Sequence, residues 1–371
     1  MVNFAVRLPL AQAVMDRFLG LAPHPTKCLA TYIWIDGTGE HLRSKCRTLP
    51  KLPKTIHDYP IWNYDGSSTY QAHGKNSDTH LKAVAAYPDP FFGGDSRLVL
   101  CETYDYKMNP TATNHRNRCE KIMNAVKDQK VWFGMEQEYL LLDRDGYPLG
   151  WPKHGFPAPQ GSYYCGIGAD RIFGREIIDL HHRLCLYSGL KLFGTNAEVT
   201  PGQWEFQLGT CPGIEMGDEL WMARYLLHRV AECFGVAVTL DPKPSHTMGD
   251  WNGAGCHTNF STETMRNDGG LKVIEEAMPK LEKAHEEHMK VYDPHDGKDN
   301  LRRLTGRHET SRADQFTWGI ANRGCSVRIP RQVAADKKGF FEDRRPSSNC
   351  DPYQVMAAIT KTVLLDGKEV H

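Results

Sequence analysis

The sequence of 371 residues lacks the short motifs that identify many nucleotide- and metal-binding proteins. It contains neither a G-x-x-x-x-G-K-[ST] loop nor a G-x-G-x-x-G turn, so any bound nucleotide is held without a P-loop or a Rossmann turn. It also contains no C-x-x-C pair and no G-x-S-x-G motif, which argues against a zinc framework and against a serine hydrolase.

Net charge and long apolar runs are also missing. The 45 basic residues balance the 45 acidic residues, so no excess charge favours nucleic acid or an anionic membrane as a partner. No uncharged run is long enough to cross a bilayer. The 11 cysteines are scattered and odd in number, as in proteins with reduced thiols, and we therefore expect a cytoplasmic protein.

The length predicts two domains, and the local patterns divide the chain accordingly. Residues 1–25 have the pattern of an amphipathic helix, and residues 26–108 consist mostly of strand and turn signals. Residues 114–371 combine helical and strand-like segments. The predicted fold class is therefore α+β, with a small β-rich N-terminal domain and a larger α+β domain.

Individual elements follow from the spacing of apolar residues. Strands are predicted at 29–37, 41–49, 96–106 and 131–143, and helices at 116–129, 169–190, 218–235, 271–292 and 351–365. Pro279 should bend or split the fourth of these helices, because proline lacks the N–H that an interior position requires.

The segment FGMEQEY, residues 133–139, places two carboxylates in an apolar strand. Glu136 and Glu138 share one face, roughly 6.5–7 Å apart along the backbone, and Gln137 points to the other face. Burying two carboxylates requires compensating partners. Pairing with arginine or with a divalent cation such as Mg²⁺ or Mn²⁺ would compensate the two charges. An exposed strand face would instead leave both carboxylates in water.

Four further residues could complete a cation site. Glu198 and Glu205 lie in the segment GTNAEVTPGQWEFQLG, His257 in NGAGCHTNFS and Glu342 in GFFEDRRP. Each residue alone indicates little, since single glutamates are usually solvated and single histidines are usually structural. Together, five acids and one imidazole indicate a two-metal carboxylate site that suits phosphoryl transfer to or from a nucleotide.

A second group of candidates is cationic. The segments ANRGCSVRIPR and EDRRP supply Arg323, Arg328, Arg331, Arg344 and Arg345. The planar guanidinium fork matches phosphate and carboxylate geometry. For Arg331 and Arg345, a charged and solvated edge remains an alternative.

Nine motifs in this sequence together resemble glutamine synthetases of the eukaryotic type. They occur in the order of that family between about residues 29 and 355: IDGTG, WNYDGSST, WFGMEQEY, GWPKHGFPAPQGSYYCGIGADR, NAEVTPGQWEFQLG, WNGAGCHTNFST, LTGRHET, ANRGCSVRIPR and FFEDRRPSSNCDPY. The resemblance implies a small β-grasp domain followed by a catalytic domain whose antiparallel sheet is flanked by helices. It also implies a homodecamer of two stacked pentamers, with active sites shared between adjacent subunits.

The implied reaction joins L-glutamate and ammonia at the expense of ATP through γ-glutamyl phosphate. A related ligase that uses a larger amine is an alternative. A non-catalytic structural relative is a further alternative, but the six candidate ligands and the arginines are all present, which disfavours it.

The resemblance also implies roles for single residues. Glu138, Glu198 and Glu205 would bind one divalent ion, and Glu136, His257 and Glu342 would bind the second. Asp65 would help to deprotonate ammonium, and Glu309 would close a flap over glutamate. The implied substrate contacts are Asp250, Trp251, Asn252, Gly253, Arg303, Arg323 and Arg344. The implied ATP contacts are Glu136, Glu205, Phe206, Gln207, Asn259, Phe260, Ser261, Arg323, Arg328 and Phe340.

Four positions depart from the usual family pattern, namely Thr200, Gly202, Thr210 and Phe340. Phe340 stands where tyrosine is frequent, so a hydroxyl contact near the adenine would be missing. None of the four is a candidate metal ligand or charged catalytic residue. The departures therefore concern substrate affinity and leave the implied reaction unchanged.

Overall fold

A computed structural model of the chain describes residues 21–152, 154–244 and 250–370. The helix predicted in residues 1–25 lies almost entirely outside the described residues. The chain divides into two compact units. Of the described residues, the smaller unit contains 21–117 and 183–190, and the larger contains 118–182 and 191–370. The domain ranges given above stay predictions.

The smaller unit is built on a five-stranded mixed sheet. Its strands are β1 (Cys28–Ile35), β2 (Leu42–Leu49), β3 (Trp62–Asp65), β4 (Asp78–Pro88) and β5 (Arg97–Tyr104). Their order is β2-β1-β5-β4-β3, with a parallel β1–β5 pair and antiparallel neighbours elsewhere. The alternating apolar residues of β1 supply the core, where Trp34 contacts Tyr64 at 4.5 Å between ring centroids.

The larger unit contains a second, largely antiparallel sheet. Its strands are β6 (Trp132–Leu142), β7 (Leu192–Ala197), β8 (Gln203–Pro212), β9 (Ala237–Thr239), β10 (Cys256–Ser261), β11 (Trp318–Ile320), β12 (Val327–Ile329) and β13 (Phe341–Asp343). The order is β11-β12-β13-β10-β6-β8-β7, and β9 pairs with the end of β6. Only β11 and β12 run parallel among these described strands. β6 therefore lies in the centre of the sheet.

Nine α-helices are present in the described ranges. They are α1 (His115–Ala125), α2 (Arg175–Tyr187), α3 (Glu215–Phe234), α4 (Glu263–Arg266), α5 (Gly270–Lys283), α6 (His285–Val291), α7 (Lys298–Arg303), α8 (Arg331–Asp336) and α9 (Pro352–Leu364). None of them combines the length and the apolar character that crossing a bilayer requires. The two sheets together with these helices confirm the predicted α+β class.

Local chemistry explains where two of the helices begin and end. α9 begins at Pro352, a residue suited to a first helical position, and the Asp351 carboxylate accepts a hydrogen bond from the backbone N–H of Gln354. α3 ends at Phe234 and is capped by Gly235, whose left-handed φ of 65° costs glycine little because it has no Cβ.

The structure differs from the predicted elements in three places. Strand β4 was not predicted, because it contains small and charged residues and a bulge between Ala83 and Ala85. The helix predicted from residue 169 begins only at Arg175, after Gly174 in a left-handed conformation. The helix predicted over 271–292 is divided, but at Ala284 between α5 and α6 and not at Pro279, which is exposed and lies inside α5.

Candidate active site

Strand β6 presents the two glutamates of FGMEQEY to one face of the sheet. Glu138 is buried and Glu136 is partly exposed. Gln137, between them, points to the opposite face and is completely buried. The predicted alternation is therefore present, and the question becomes which residues the neighbouring strands place beside each carboxylate.

The first ligand cluster combines residues from three adjacent strands. β10 places His257 directly opposite Glu136, and β13 places Glu342 opposite Asn259, two residues along from the histidine. The Nδ1 atom of His257 lies 3.7 Å from Oε2 of Glu136 and 3.4 Å from Oε1 of Glu342. We call Glu136, His257 and Glu342 the His257 cluster.

The second ligand cluster is built on the other side of β6. The register of β8 places Glu205 opposite Glu138. Glu198 follows the end of β7, where its backbone N–H donates to the carbonyl of Gln203 at 2.9 Å and so closes the turn into β8. We call Glu138, Glu198 and Glu205 the Glu138 cluster. In each cluster, one ligand atom from every residue lies within 4.8 Å of the others.

The electrostatics of the Glu138 cluster favour a bound cation. Burial, followed by repulsion from a neighbouring carboxylate, raises the pKa of Glu138, Glu198 and Glu205 to about 8. Their hydrogen-bond donors are neutral: the backbone N–H of Gly255 donates to Glu138 at 2.5 Å, and the Asn196 amide donates to Glu198 at 3.1 Å. At pH 7 these raised pKa values favour protonated carboxyls, because neutral donors compensate the ionised forms only in part. A hard divalent cation, which would displace the protons, therefore fits the donor set.

His257 is suited to metal ligation. Burial, assisted by the charge of Arg344, holds the pKa of His257 well below its usual value. The imidazole is therefore neutral at pH 7 and offers a nitrogen lone pair. A site with one imidazole and two carboxylates accepts Mn²⁺ as well as Mg²⁺.

Both clusters line one cavity of about 600 Å³ in the larger unit. The other residues named above that line it are Asn252, Gly253, Arg303, Glu309, Arg323, Arg328 and Arg344. The cavity thus combines a carboxylate-rich floor with several guanidinium groups. That combination suits a ligand with both anionic phosphates and bound cations.

Two of the arginines are paired with a member of the His257 cluster. Glu342 accepts hydrogen bonds from Nη1 of Arg328 at 2.8 Å and from Nη1 of Arg344 at 2.7 Å. Arginine pairing and a cation site were alternatives for the acidic residues. Glu342 fits both, because it pairs with two arginines and also belongs to the His257 cluster. Arg323 is exposed on the cavity wall.

Arg303 is buried and holds the chain that follows β13. Its Nη2 atom donates to the carbonyls of Arg344, Arg345 and Pro346 at 3.0, 2.7 and 3.1 Å. Burial lowers its pKa to about 10, so it remains a cation at pH 7. The side chain therefore both lines the cavity and positions the segment that carries Arg344.

The segment 306–311 forms one rim of the cavity. His308 and Glu309 both have left-handed backbone conformations, with φ of 52° and 58°. Asp250 accepts from Arg307 and contacts Nε2 of His308, each at 3.1 Å. The hydrogen bond from Arg307, followed by that from His308, lowers the pKa of Asp250.

Asp65 lies in the smaller unit, at the end of β3. It caps a 3₁₀ turn, because its carboxylate accepts from the backbone N–H of Ser67 at 3.0 Å and from the hydroxyls of Ser67 and Ser68 at 2.6 and 2.7 Å. These hydrogen bonds lower its pKa to about 2. The exposed carboxylate is therefore ionised at pH 7.

Several predicted ATP contacts have other neighbours in this structure. Phe206 and Phe260 are completely buried: Phe206 contacts Tyr139 and His181, and Phe260 contacts Phe133 and Phe341. Both rings belong to the apolar core behind the sheet, so a contact of either residue with ATP would involve its backbone, and the assignment of both residues stays a prediction.

The remaining predicted contacts support the clusters or lie at their edges. Asn259 donates to Glu136 at 2.9 Å, and the Gln207 amide donates to Glu205 in a short contact. The hydroxyl of Ser261 accepts from Arg266 at 2.9 Å. Phe340 is 38% exposed.

Trp251 and Arg345 are both buried, although the sequence analysis gave Trp251 a substrate contact and left a solvated edge open for Arg345. Trp251 is buried, and its ring contacts that of Trp151 at 5.0 Å between centroids. Arg345 is completely buried and pairs with Asp343 at 2.7 Å, so the solvated-edge interpretation is wrong for it. Arg331 is exposed at the start of α8.

The sequence analysis missed six polar residues on the cavity wall, namely Gln160, Tyr164, Asn196, His308, Thr310 and Ser311. Gln160 accepts from the backbone N–H of Asn252 at 2.6 Å. Each of the six lies within, or one residue from, a motif quoted above, but a single polar residue carries no spacing signal that points to a cavity. Only the folded arrangement reveals these positions.

Comparisons with known proteins cover most of the chain. Residues 113–368 match the family model described as glutamine synthetase, catalytic domain. A probable glutamine synthetase of Caenorhabditis elegans is 70% identical over 98% of this chain and 99% of its own length. Glutamine synthetase 2 cytoplasmic of Drosophila melanogaster is 59% identical, covering 96% of each chain. Glutamine synthetase of Mus musculus is 57% identical, covering 96% of this chain and 95% of its own.

These matches cover almost the whole chain at high identity. The family match also includes all six residues of the His257 and Glu138 clusters. We conclude that this chain belongs to the glutamine synthetase family.

Proposed function

We propose that this protein catalyses the ATP-dependent ligation of L-glutamate and ammonia to L-glutamine, with release of ADP and phosphate. Family membership supports the reaction class. The observation that carries the proposal is the placement of two ligand clusters on neighbouring strands of one cavity that also presents Arg323, Arg328 and Arg344. This arrangement provides the charge that phosphoryl transfer requires.

Two divalent cations, Mg²⁺ or Mn²⁺, fit the clusters. Glu138, Glu198 and Glu205 would hold one ion, and Glu136, His257 and Glu342 the other. When bound, the ions neutralise phosphate charge and orient the nucleotide. Because β6 supplies one ligand to each cluster, residues two apart on a rigid strand fix the spacing of the two sites.

The cavity residues would act on two successive steps. In the first, an oxygen of the glutamate γ-carboxylate attacks the γ-phosphorus of ATP, and ADP leaves. In the second, the ammonia nitrogen attacks the acyl carbon of γ-glutamyl phosphate, and phosphate leaves. The guanidinium groups of Arg323 and Arg344 match the charge of the transferred phosphoryl group, which supports their assignment to both steps.

The acyl phosphate must be protected from water. Glu309 lies on the cavity rim in the segment 306–311, which is consistent with a flap that covers the bound glutamate. Closure of such a segment would exclude water and favour attack by ammonia over hydrolysis.

Ammonium must lose a proton before its nitrogen can attack. We assign Asp65 to this step, because its ionised carboxylate would attract the ammonium cation and accept the proton that ammonium loses. In the proposed homodecamer of two stacked pentamers, Asp65 would serve the cavity of an adjacent subunit. We also infer a cytoplasmic location, which the name of the fly relative supports, as do the cysteines of the described residues, which form no disulfide bonds with one another.

Phosphate release by the purified protein tests the proposed reaction. With ATP and Mg²⁺, we expect release to require both glutamate and ammonium, in equal amounts with glutamine formed. Methylamine and ethylamine, at the same concentration, serve as larger amines. Faster turnover with either amine would replace the proposed substrate, and phosphate release without any amine would contradict the proposed ligation.

Removal of divalent metal should lower the thermal stability of the protein. The Glu138 cluster then lacks the cation that would compensate its buried carboxyl groups, and a cation at about 100 times its Kd would add about 2.7 kcal/mol of stability. We expect the Tm of protein treated with EDTA to rise by several degrees on addition of MgCl₂ or MnCl₂. The same ionic strength of KCl serves as control, and an equal shift with KCl would contradict a specific cation site.

A further inference from the structure

The rear face of β6 carries a buried polar pair that the proposed mechanism does not use. Gln137 lies between the two ligands of β6 and points away from the cavity. Arg224, on α3, reaches it from behind the sheet. Both side chains are at most 1% exposed. A charged guanidinium so deeply buried requires a specific reason, because desolvation of a charge is costly.

The hydrogen bonds of Arg224 go to neutral oxygens. Its Nε and Nη2 atoms donate to Oε1 of Gln137 at 2.8 and 2.7 Å. Nη1 donates to the carbonyl of Cys350 at 2.9 Å, and Nη2 also donates to that of Ser348 at 3.1 Å. These hydrogen bonds therefore connect β6 to the segment that follows β13.

Gln137 completes this connection. Its Nε2 atom donates to the carbonyl of Glu138 at 2.8 Å and to that of Ser348 at 2.9 Å. The amide thus uses both its donor and its acceptor capacity. Because one bond ends on the backbone of Glu138 itself, the pair fixes the peptide that carries a member of the Glu138 cluster.

The same segment is also bonded to the start of β10. Cys256 donates from its backbone N–H to the carbonyl of Pro346 at 3.0 Å, and Ser348 donates to that of Ala254 at 3.2 Å. Cys256 immediately precedes His257. Consequently the start of β10, which carries His257, and the part of β6 that carries Glu138 are joined through one set of hydrogen bonds, to which Arg224 contributes four.

We propose that Gln137 and Arg224 form a positioning pair that sets the geometry of both metal-ligand clusters from the rear of the sheet. The proposal rests on the metal sites of the proposed function. Neither residue touches an ion or a substrate. Residues that orient metal ligands without touching the ion typically change the metal affinity 10- to 100-fold when they are replaced.

Binding of Mn²⁺ alone tests the pair without a requirement for activity. The free Mn²⁺ signal in electron paramagnetic resonance gives the Kd for the full chain. We expect Arg224→Met and Gln137→Glu to weaken Mn²⁺ binding about 10- to 100-fold. Gln137→Glu can still accept from Arg224 but loses the donors to Glu138 and Ser348. The matched control Arg229→Met, on the same helix but paired with Glu232, should bind as the wild type does.

The possible outcomes separate this inference from the metal assignment. If the wild type binds no Mn²⁺, the proposed metal sites are wrong. If the wild type binds Mn²⁺ and both folded variants bind it equally well, the positioning role is wrong, even if their Tm values fall. If neither variant folds, the pair serves the fold rather than the metal geometry, which also overturns the proposal.

Discussion

Replacement of Glu138 by glutamine is expected to lower glutamine formation by on the order of 10³-fold at saturating Mg²⁺. Glutamine preserves the size of the side chain and an oxygen for the N–H of Gly255. It removes one of three charges that a cation in the Glu138 cluster would require. Steady-state phosphate release with glutamate and ammonium measures the loss.

The same variant should have an opposite effect on stability without metal. Removing one of three buried, mutually repelling carboxylates should raise the Tm of the metal-free protein, because the raised pKa values record a cost of burying these charges together. Addition of Mg²⁺ should then produce a smaller Tm shift than in the wild type. Glu276→Gln, on the exposed side of α5, is the control. Activity within tenfold of wild type in Glu138→Gln would contradict the metal assignment.

Replacement of Asp65 by asparagine is expected to lower turnover by about 10²- to 10³-fold, as is typical when a group that handles a proton is lost. Asparagine can still accept the hydrogen bond from the N–H of Ser67, so the turn at the end of β3 should remain. Asp58→Asn is a matched control, because Asp58 also accepts from a backbone N–H, that of Thr55, beside a 3₁₀ turn of the same unit. We expect this control to retain normal turnover.

Coexpression of Asp65→Asn with Glu138→Gln tests whether two subunits build one site. At equal expression, half of the Asp65 positions and half of the Glu138 clusters are intact. If each site draws them from different subunits, about one quarter of the sites are complete, and activity should approach one quarter of wild type. If the mixed particles are no more active than either parent, both residues come from one chain and the shared site is wrong.

Some of the site could be predicted from local sequence alone. The spacing of Glu136 and Glu138 in an apolar strand already requires that both carboxylates share a face and need compensation. The candidate ligands Glu198, Glu205, His257 and Glu342 stood out because acids and a histidine occur beside glycines and aromatic residues in strand-like segments. Their division between two ions came only from the family resemblance.

Other features could not be predicted, since their cause lies in long-range pairing. Strand β4 has the small and charged residues of a weak strand former, and its neighbours β3 and β5 stabilise it. Phe206 and Phe260 lie next in sequence to polar residues at the site, but strand alternation directs their rings into the core. Gln160 reaches the cavity from an irregular segment without a periodic signal, and Asn196 reaches it from β7, where a single amide does not reveal which face lines a cavity.

The sequence by itself therefore determined the α+β class, the carboxylate pair of β6 and the chemical type of the site. These depend on residue type and on a period of two, which are local properties. Only the tertiary structure decided which acid lies beside which, since that follows from the register of β8, β10 and β13 against their neighbours. It also decided that Arg224 lies behind Gln137, because a contact between residues 87 positions apart is fixed by the packing of a helix on a sheet.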